Sequence, residues 1–211
     1  MNYRLYIFNT LLVFLLVSLF VSGKVFADED GGEAVCIGNY SGTSFGDLVV
    51  PEGQTCQLNQ FNVVGGDLKV EKGANLIVCP DNHIQGSVKA HQPGSVYISD
   101  IAGGLCSPAK ALGITIDGDV KVEGGGSVTL LGNPFGGVAV VKGDVKVENA
   151  QSVVIQSFAN LSSLQGDVKV SHSGDVTVTD NVIGGNLQIK GTSGSCTQQN
   201  NSVTGKVDSC P

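Results

Sequence analysis

The chain has 211 residues, with 30 glycines, six cysteines and no tryptophan. Its formal net charge is −7, and beyond residue 27 ten lysines face nineteen acids with no arginine, a balance of −9. That sign excludes nucleic acid and anionic membranes as partners, and the missing arginine removes the usual bidentate grip on carboxylate or phosphate groups.

Residues 1–27 read as a signal peptide: Arg4 supplies the positive start, Leu11 to Val21 an apolar run, and Val25-Phe26-Ala27 a small-residue cleavage site. An uncleaved anchor is the alternative, since the apolar run is long for a signal core. All six cysteines lie beyond the cleavage site, and an even number in an exported chain reads as disulfides. The expected location is secreted, periplasmic or cell surface. Residues 28–45 are expected to form a short N-terminal cap segment.

From Gly46 onward one phrase recurs: a glycine, a small polar residue, then Leu or Val. It starts at Gly46, Gly66, Gly86, Gly118, Gly143, Gly166, Gly185 and Gly205, at intervals of 20, 20, 32, 25, 23, 19 and 20 residues. Self-similarity at this period marks a solenoid, in which each repeat completes its core only by stacking on neighbours. Residues two and four after these glycines are mostly apolar (Leu48/Val50, Leu68/Val70, Val120/Val122), so alternation at period two points them inward. A second strand starts nine residues after the glycine in six successive coils, at Thr55, Asn75, Ser95, Ser127, Ser152 and Asp175. A third, as in Ile114-Thr115-Ile116, leads into the next glycine. Three strands per turn on parallel neighbours predict a single-stranded right-handed parallel β-helix over 46–211, all-β, with about seven coils and a length of roughly 34 Å.

Asparagines recur near the second bend (Asn62, Asn82, Asn133, Asn160, Asn181, Asn200, Asn201), where stacked amides would hydrogen-bond along the rod. Stacking also favours three disulfides: Cys36–Cys56 and Cys196–Cys210 as staples of the two ends, and Cys79–Cys106 tying a loop to the coil beneath. No Cys-x-x-Cys or clustered histidine suggests a metal, and no cofactor motif is present.

The longer coils carry their extra residues between the second and third strands, at 101–113, 131–137 and 157–164. Insertions at one corner of consecutive coils lie side by side and are often a solenoid's binding face, although they would also serve as loops over a satellite cluster of Leu105, Leu112, Phe135 and Phe158. The outward face of the second strand is flat and nearly uncharged, and Tyr97, Thr129 and Thr177 on it, with Phe135 on a loop, are the candidate ligand-binding residues. The first strand instead points Asp47, Asp67, Asp119, Asp144 and Asp167 outward beside Lys69, Lys89, Lys121, Lys146 and Lys169. Interleaved lysines oppose Ca²⁺ there, so a solvated, soluble face is expected. His83, His91 and His172 are isolated in sequence, and Asp117 with Asp119 is the nearest carboxylate pair.

The G-[DN]-[LV]-x-[VI] phrase and the Cys-bracketed end from Gly184 to Cys210 resemble small exported, cysteine-containing bacterial β-helix proteins of uncharacterised function. More distantly, they resemble bactofilin-like polymerising β-helices. The resemblance implies architecture and no activity. The expected function is an exported non-catalytic structural or binding module, at a cell surface or in a matrix, presenting the flat face and clustered loops to a polysaccharide or surface protein. The alternative is a polysaccharide-acting β-helix lyase or hydrolase using a carboxylate cluster.

Overall fold

Two branched apolar side chains at alternate positions of every coil leave water only if another coil covers them. The computed structural model describes residues 33–101, 105–106, 113–135, 137–208 and 210, and it stacks these positions into columns. Leu48, Leu68, Val88, Val120, Val145, Val168 and Leu187 lie one above another in register, essentially without exposure. Burying a side chain of this size contributes about 1.5–3 kcal/mol, so the columns supply the main drive to fold.

The strands form three parallel sheets. Sheet 1 has nine strands, from Ala34–Val35 to Val207–Asp208. Sheet 2 has eight, from Gly38–Tyr40 to Cys196–Gln199, and sheet 3 has eight, from Ser44–Phe45 to Ser202–Val203. Each sheet takes every third strand in chain order, so the chain winds as a parallel β-helix with one core enclosed between the three sheets. The signal peptide expected over 1–27 lies outside the described residues.

The stack begins earlier than the repeat phrase indicates. Ala34–Val35 pairs with Leu48–Val50, Gly38–Tyr40 with Thr55–Leu58, and Ser44–Phe45 with Val63–Val64. Residues 34–45 of the expected cap over 28–45 therefore form a coil, which with the seven expected from Gly46 onward gives eight complete turns among the described residues. The phrase is present there as Gly32-Glu33-Ala34, but Ala34 and Cys36 replace the branched residues and the interval to the second strand is shortened. Tyr40 and Phe45 fill this first turn edge to face, their ring centroids 5.4 Å apart. Among the insertions, the second begins as the strand Ser127–Leu131 ends, and the third is shortened because its next strand already starts at Ser163–Leu164.

The repeat glycine has a steric cause. A Cβ on Gly118 would lie 2.6 Å from the carbonyl oxygen of Gly86, and the same group accepts the Gly118 N–H at 3.0 Å. Coils approach so closely at this corner that only hydrogen fits on the inner side of the chain. The residue after the glycine then closes a ladder. Asp67 N–H donates to Asp47 Oδ1, Ser87 to Asp67, Asp119 to Ser87 Oγ, Asp144 to Asp119, Asp167 to Asp144, Asn186 to Asp167 and Lys206 to Asn186, all at 2.7–3.1 Å. Every acceptor is a short Asp, Ser or Asn. The residue at the top, Lys206, has no described coil above it to cap.

The disulfides are Cys36–Cys56, Cys79–Cys106 and Cys196–Cys210, as stacking predicts. They fit an oxidising compartment. No helix among the described residues is long and apolar enough to cross a membrane.

Gly118→Ala is expected to lose about 2–3 kcal/mol of stability by forced overpacking. Asp119→Ala is expected to lose about 1–2 kcal/mol and Asp119→Asn much less, because the amide still accepts the Asp144 N–H. Urea unfolding of the three proteins checks both; equal losses for Ala and Asn at 119 would mean that the ladder bond is immaterial. Replacing Cys79 and Cys106 by serine opens a 27-residue link and is expected to lose about 3 kcal/mol.

Candidate functional site

The three faces of the rod differ in charge. On sheet 1, Lys69, Lys89, Lys121, Lys146 and Lys169 stand in one register column. Two ladder aspartates offer one oxygen to backbone and the other to these amines: Asp119 Oδ2 pairs with Lys121 at 2.8 Å, and Asp67 Oδ2 with Lys89. The lysine amine first and the backbone N–H second hold the carboxyls of Asp119 and Asp67 below the ordinary value. Two clefts of about 530 and 450 Å³ run along this face. Both are open troughs walled by flexible lysine stems whose charges are largely matched, so cleft volume does not make this the recognition face.

Sheet 2 is the opposite. Among its strands only Asp175 carries a charge. Gln57, Ile77, Tyr97, Thr129, Val154, Thr177 and Thr197 form one outward column in register. Tyr97, Thr129 and Thr177 are thus brought together on consecutive levels with Val154 between, all half-buried. Ser95–Ser99, Ser127–Leu131, Ser152–Gln156 and Asp175–Thr179 are the longest strands of the molecule, giving a patch roughly 17 Å wide and 14 Å tall. Beside the column runs a hydroxyl and amide row in which Ser95 Oγ donates to Asn75 Oδ1 at 2.8 Å.

The insertions border this patch at the corner between sheets 2 and 3. The first folds back toward lower coils, where Gln57 Nε2 donates to the Leu105 carbonyl at 3.0 Å and Cys106 bonds Cys79. The second and third touch each other through Asn160 Nδ2 and the Pro134 carbonyl at 3.2 Å. Phe135 is not on the Tyr97 column but at this rim, 91% exposed, with Leu161 exposed on the adjacent loop. Phe158 is buried in the main core rather than in a satellite cluster, and Phe135 and Leu105 are exposed; Leu112 lies outside the described residues. The buried asparagines Asn62, Asn82 and Asn181 pin the same corner. Asn82 Oδ1 accepts the Asn62 N–H at 2.9 Å, and Asn201 Oδ1 accepts the Asn181 N–H at 3.1 Å.

Sheet 3 carries a cluster that sequence separation hides. His83 Nε2 lies 2.9 Å from Asp117 Oδ2, and Lys142 Nζ lies 2.8 Å from Asp117 Oδ1. Lys142 first and His83 second draw the Asp117 carboxyl below its usual range. Asp117 and Asp119 therefore serve different faces, one tied to sheet 3 partners and one to the sheet 1 ladder. Asp180 accepts from Asn200 Nδ2 at 3.0 Å, an ordinary turn contact.

Asp100 is the anomaly. It is fully buried beneath the insertion corner, and among the described residues neither carboxyl oxygen has a hydrogen-bond partner. Asn133 Nδ2 donates to its backbone carbonyl instead, at 3.1 Å. A Cβ on Gly137 would come within 2.0 Å of Asp100 Oδ2, so Gly137 is the residue that admits the carboxyl. Burial, reinforced by the charge of Asp81, pushes its pKa up to about 7. Comparison with family models, with curated proteins and with solved structures finds no match.

The titration of these groups has opposite signs. The folded protein keeps the Asp100 proton to about pH 7, whereas the unfolded chain releases it near pH 4. Stability therefore falls as pH rises through that window, by up to about 1.4 kcal/mol per pH unit, and levels off above it. Asp67, Asp117 and Asp119, with lowered values, stabilise above the unfolded carboxylate range and lose that contribution as pH falls through their folded values. Thermal unfolding should show an optimum near pH 4–5, and Asp100→Asn should remove the decline between pH 5 and pH 7 while leaving the acid limb in place. An unchanged decline in the variant would assign it to another group.

Proposed function

We propose that the chain is an exported, non-catalytic binding module that lays sheet 2 against a polysaccharide at a cell surface or in an extracellular matrix. The observation that carries this reading is the segregation of charge. Lysines and acids crowd sheet 1, while the widest sheet of the rod offers a regular mixture of hydroxyl, amide and apolar groups. Such a surface gives hydrogen bonds and apolar contact to sugar rings without the desolvation of fixed charges. Tyr97 adds a rigid ring with a polar tip, and the loop rim with Phe135 limits how a chain lies across the face. Three disulfides suit a module that works outside the reducing cytoplasm.

Co-sedimentation of the oxidised protein with insoluble cellulose, chitin and mannan tests the proposal. Retention on at least one is expected, with Tyr97→Ala or the pair Thr129→Lys and Thr177→Lys weakening it about tenfold or more and Lys121→Ala leaving it unchanged. Loss through the sheet 1 variant and not through the sheet 2 variants would refute the chosen face. Release of reducing or unsaturated ends, abolished by Asp117→Ala, would overturn the non-catalytic reading.

A further inference from the structure

The turn from sheet 2 to sheet 3 places a residue in the left-handed backbone region in coil after coil, at Phe61, Asp81, Asp180 and Asn200. Asp and Asn tolerate that region because their short polar side chains bond locally, whereas a bulky residue there is strained. Phe61 is the exception, at φ 57°, and its ring is 61% exposed. It thus combines an unfavourable backbone with apolar surface in water, and the stack gains nothing from either. Strain of this kind persists where something other than folding retains it.

Phe61 stands at the lip of a cleft of about 430 Å³. The cleft crosses four consecutive coils: Phe61 lies on the first, Asp81 and His83 on the second, Gly113 and Thr115 on the third, and Val138 on the fourth. Thr115 sits beside His83 in register, and both side chains point outward from sheet 3. Asp117 steadies the His83 ring at 2.9 Å. Apolar groups therefore stand at both ends of the cleft, with a carboxylate, an imidazole and a hydroxyl between them.

We propose that this cleft is a second saccharide site, distinct from the sheet 2 face, that takes one uncharged pyranose ring. Phe61 stacks on the apolar face of the ring, and Asp81, His83 and Thr115 bond its hydroxyls. Charge selects against an acidic sugar: Asp81 lines the cleft, Asp100 is buried close enough to feel its charge, and Asp117 already occupies Lys142 at 2.8 Å. Gly113 and Val138 close the far side, where a Cβ on Gly113 would come within 2.2 Å of the Val138 carbonyl oxygen.

The test is titration of the oxidised protein with cellopentaose, xylopentaose, mannopentaose and pentagalacturonate, followed by calorimetry and amide NMR. At least one neutral pentaose is expected to bind and to shift the amides of Phe61, His83 and Thr115, with pentagalacturonate inert. Phe61→Asn should weaken binding about tenfold or more and, by relieving the backbone, raise the melting temperature by about 2–4 °C. Phe61→Tyr should keep the affinity within about twofold. Absence of binding by every neutral pentaose, preference for pentagalacturonate, unchanged affinity in Phe61→Asn, or a lowered melting temperature in that variant would each overturn the proposal. Tyr97→Ala should leave these shifts intact, so failure here and failure of the sheet 2 reading are separately visible.

Discussion

The structure depends on one close contact, the passage of each repeat glycine over the carbonyl of the glycine below. At that corner the chain has no room for a β-carbon, as the 2.6 Å approach at Gly118 shows. The contact fixes the vertical spacing and the angular position of every coil together. Once the corner is set, the residues two and four places on must enter the core, because side chains alternate along a strand. The residue one place on must face out beside its counterpart above and below. The Asp, Ser and Asn ladder follows: an acceptor at that position meets the backbone N–H of the next coil and satisfies a donor left over by the turn. Register, core and ladder are three consequences of a single steric fact.

This order explains what was legible in the sequence. The glycine phrase and the alternation after it gave the sheets and their register, and reading the cysteines as staples of the two ends and of one inserted loop gave all three disulfides. The first coil was missed because Ala34 and Cys36 fill positions that branched residues hold elsewhere. The role of the aspartates was also missed. A column of Asp beside Lys reads as a solvated face when only charge is considered, whereas the signal was the restriction to short acceptors, Ser87 and Asn186 included. The His83 and Asp117 pair was hidden by the 32-residue coil between Gly86 and Gly118. Counted back from their own glycines, the two positions stand at fixed offsets on adjacent levels, so the pairing follows once the insertion is set aside. The isolation of Asp100 was beyond such reasoning, because it depends on how Gly137 and Asn133 close over it.

Solenoids expose strand edges at their ends, and this one manages its two ends differently. The first turn is plugged by Tyr40 and Phe45, both turned inward. At the top of the described stack the inward positions change character: Gln198 stands above Val178, Cys196 above Val176, and Lys206 takes the ladder position without an acceptor to offer. The core column is thus ended by polarity and a disulfide rather than by another apolar layer.

Departures from the repeat are not scattered. Asp100, whose buried carboxyl has no partner among the described residues, lies at the corner between sheets 2 and 3, as do the left-handed Phe61 and the exposed Phe135 and Leu161. The same corner receives all three insertions and the Cys79–Cys106 bond. At the turn from sheet 1 to sheet 2, Gln92, Asn149 and His172 are also left-handed, but no insertion or exposed phenylalanine joins them there. A stack stabilised by dozens of regular backbone contacts tolerates a few unfavourable residues, and where selection keeps them they mark what the rod carries rather than how it stands. The bonded Asn and backbone groups of that corner hold its unusual side chains rigidly, so the edge shared by sheets 2 and 3 combines pre-organisation with local strain.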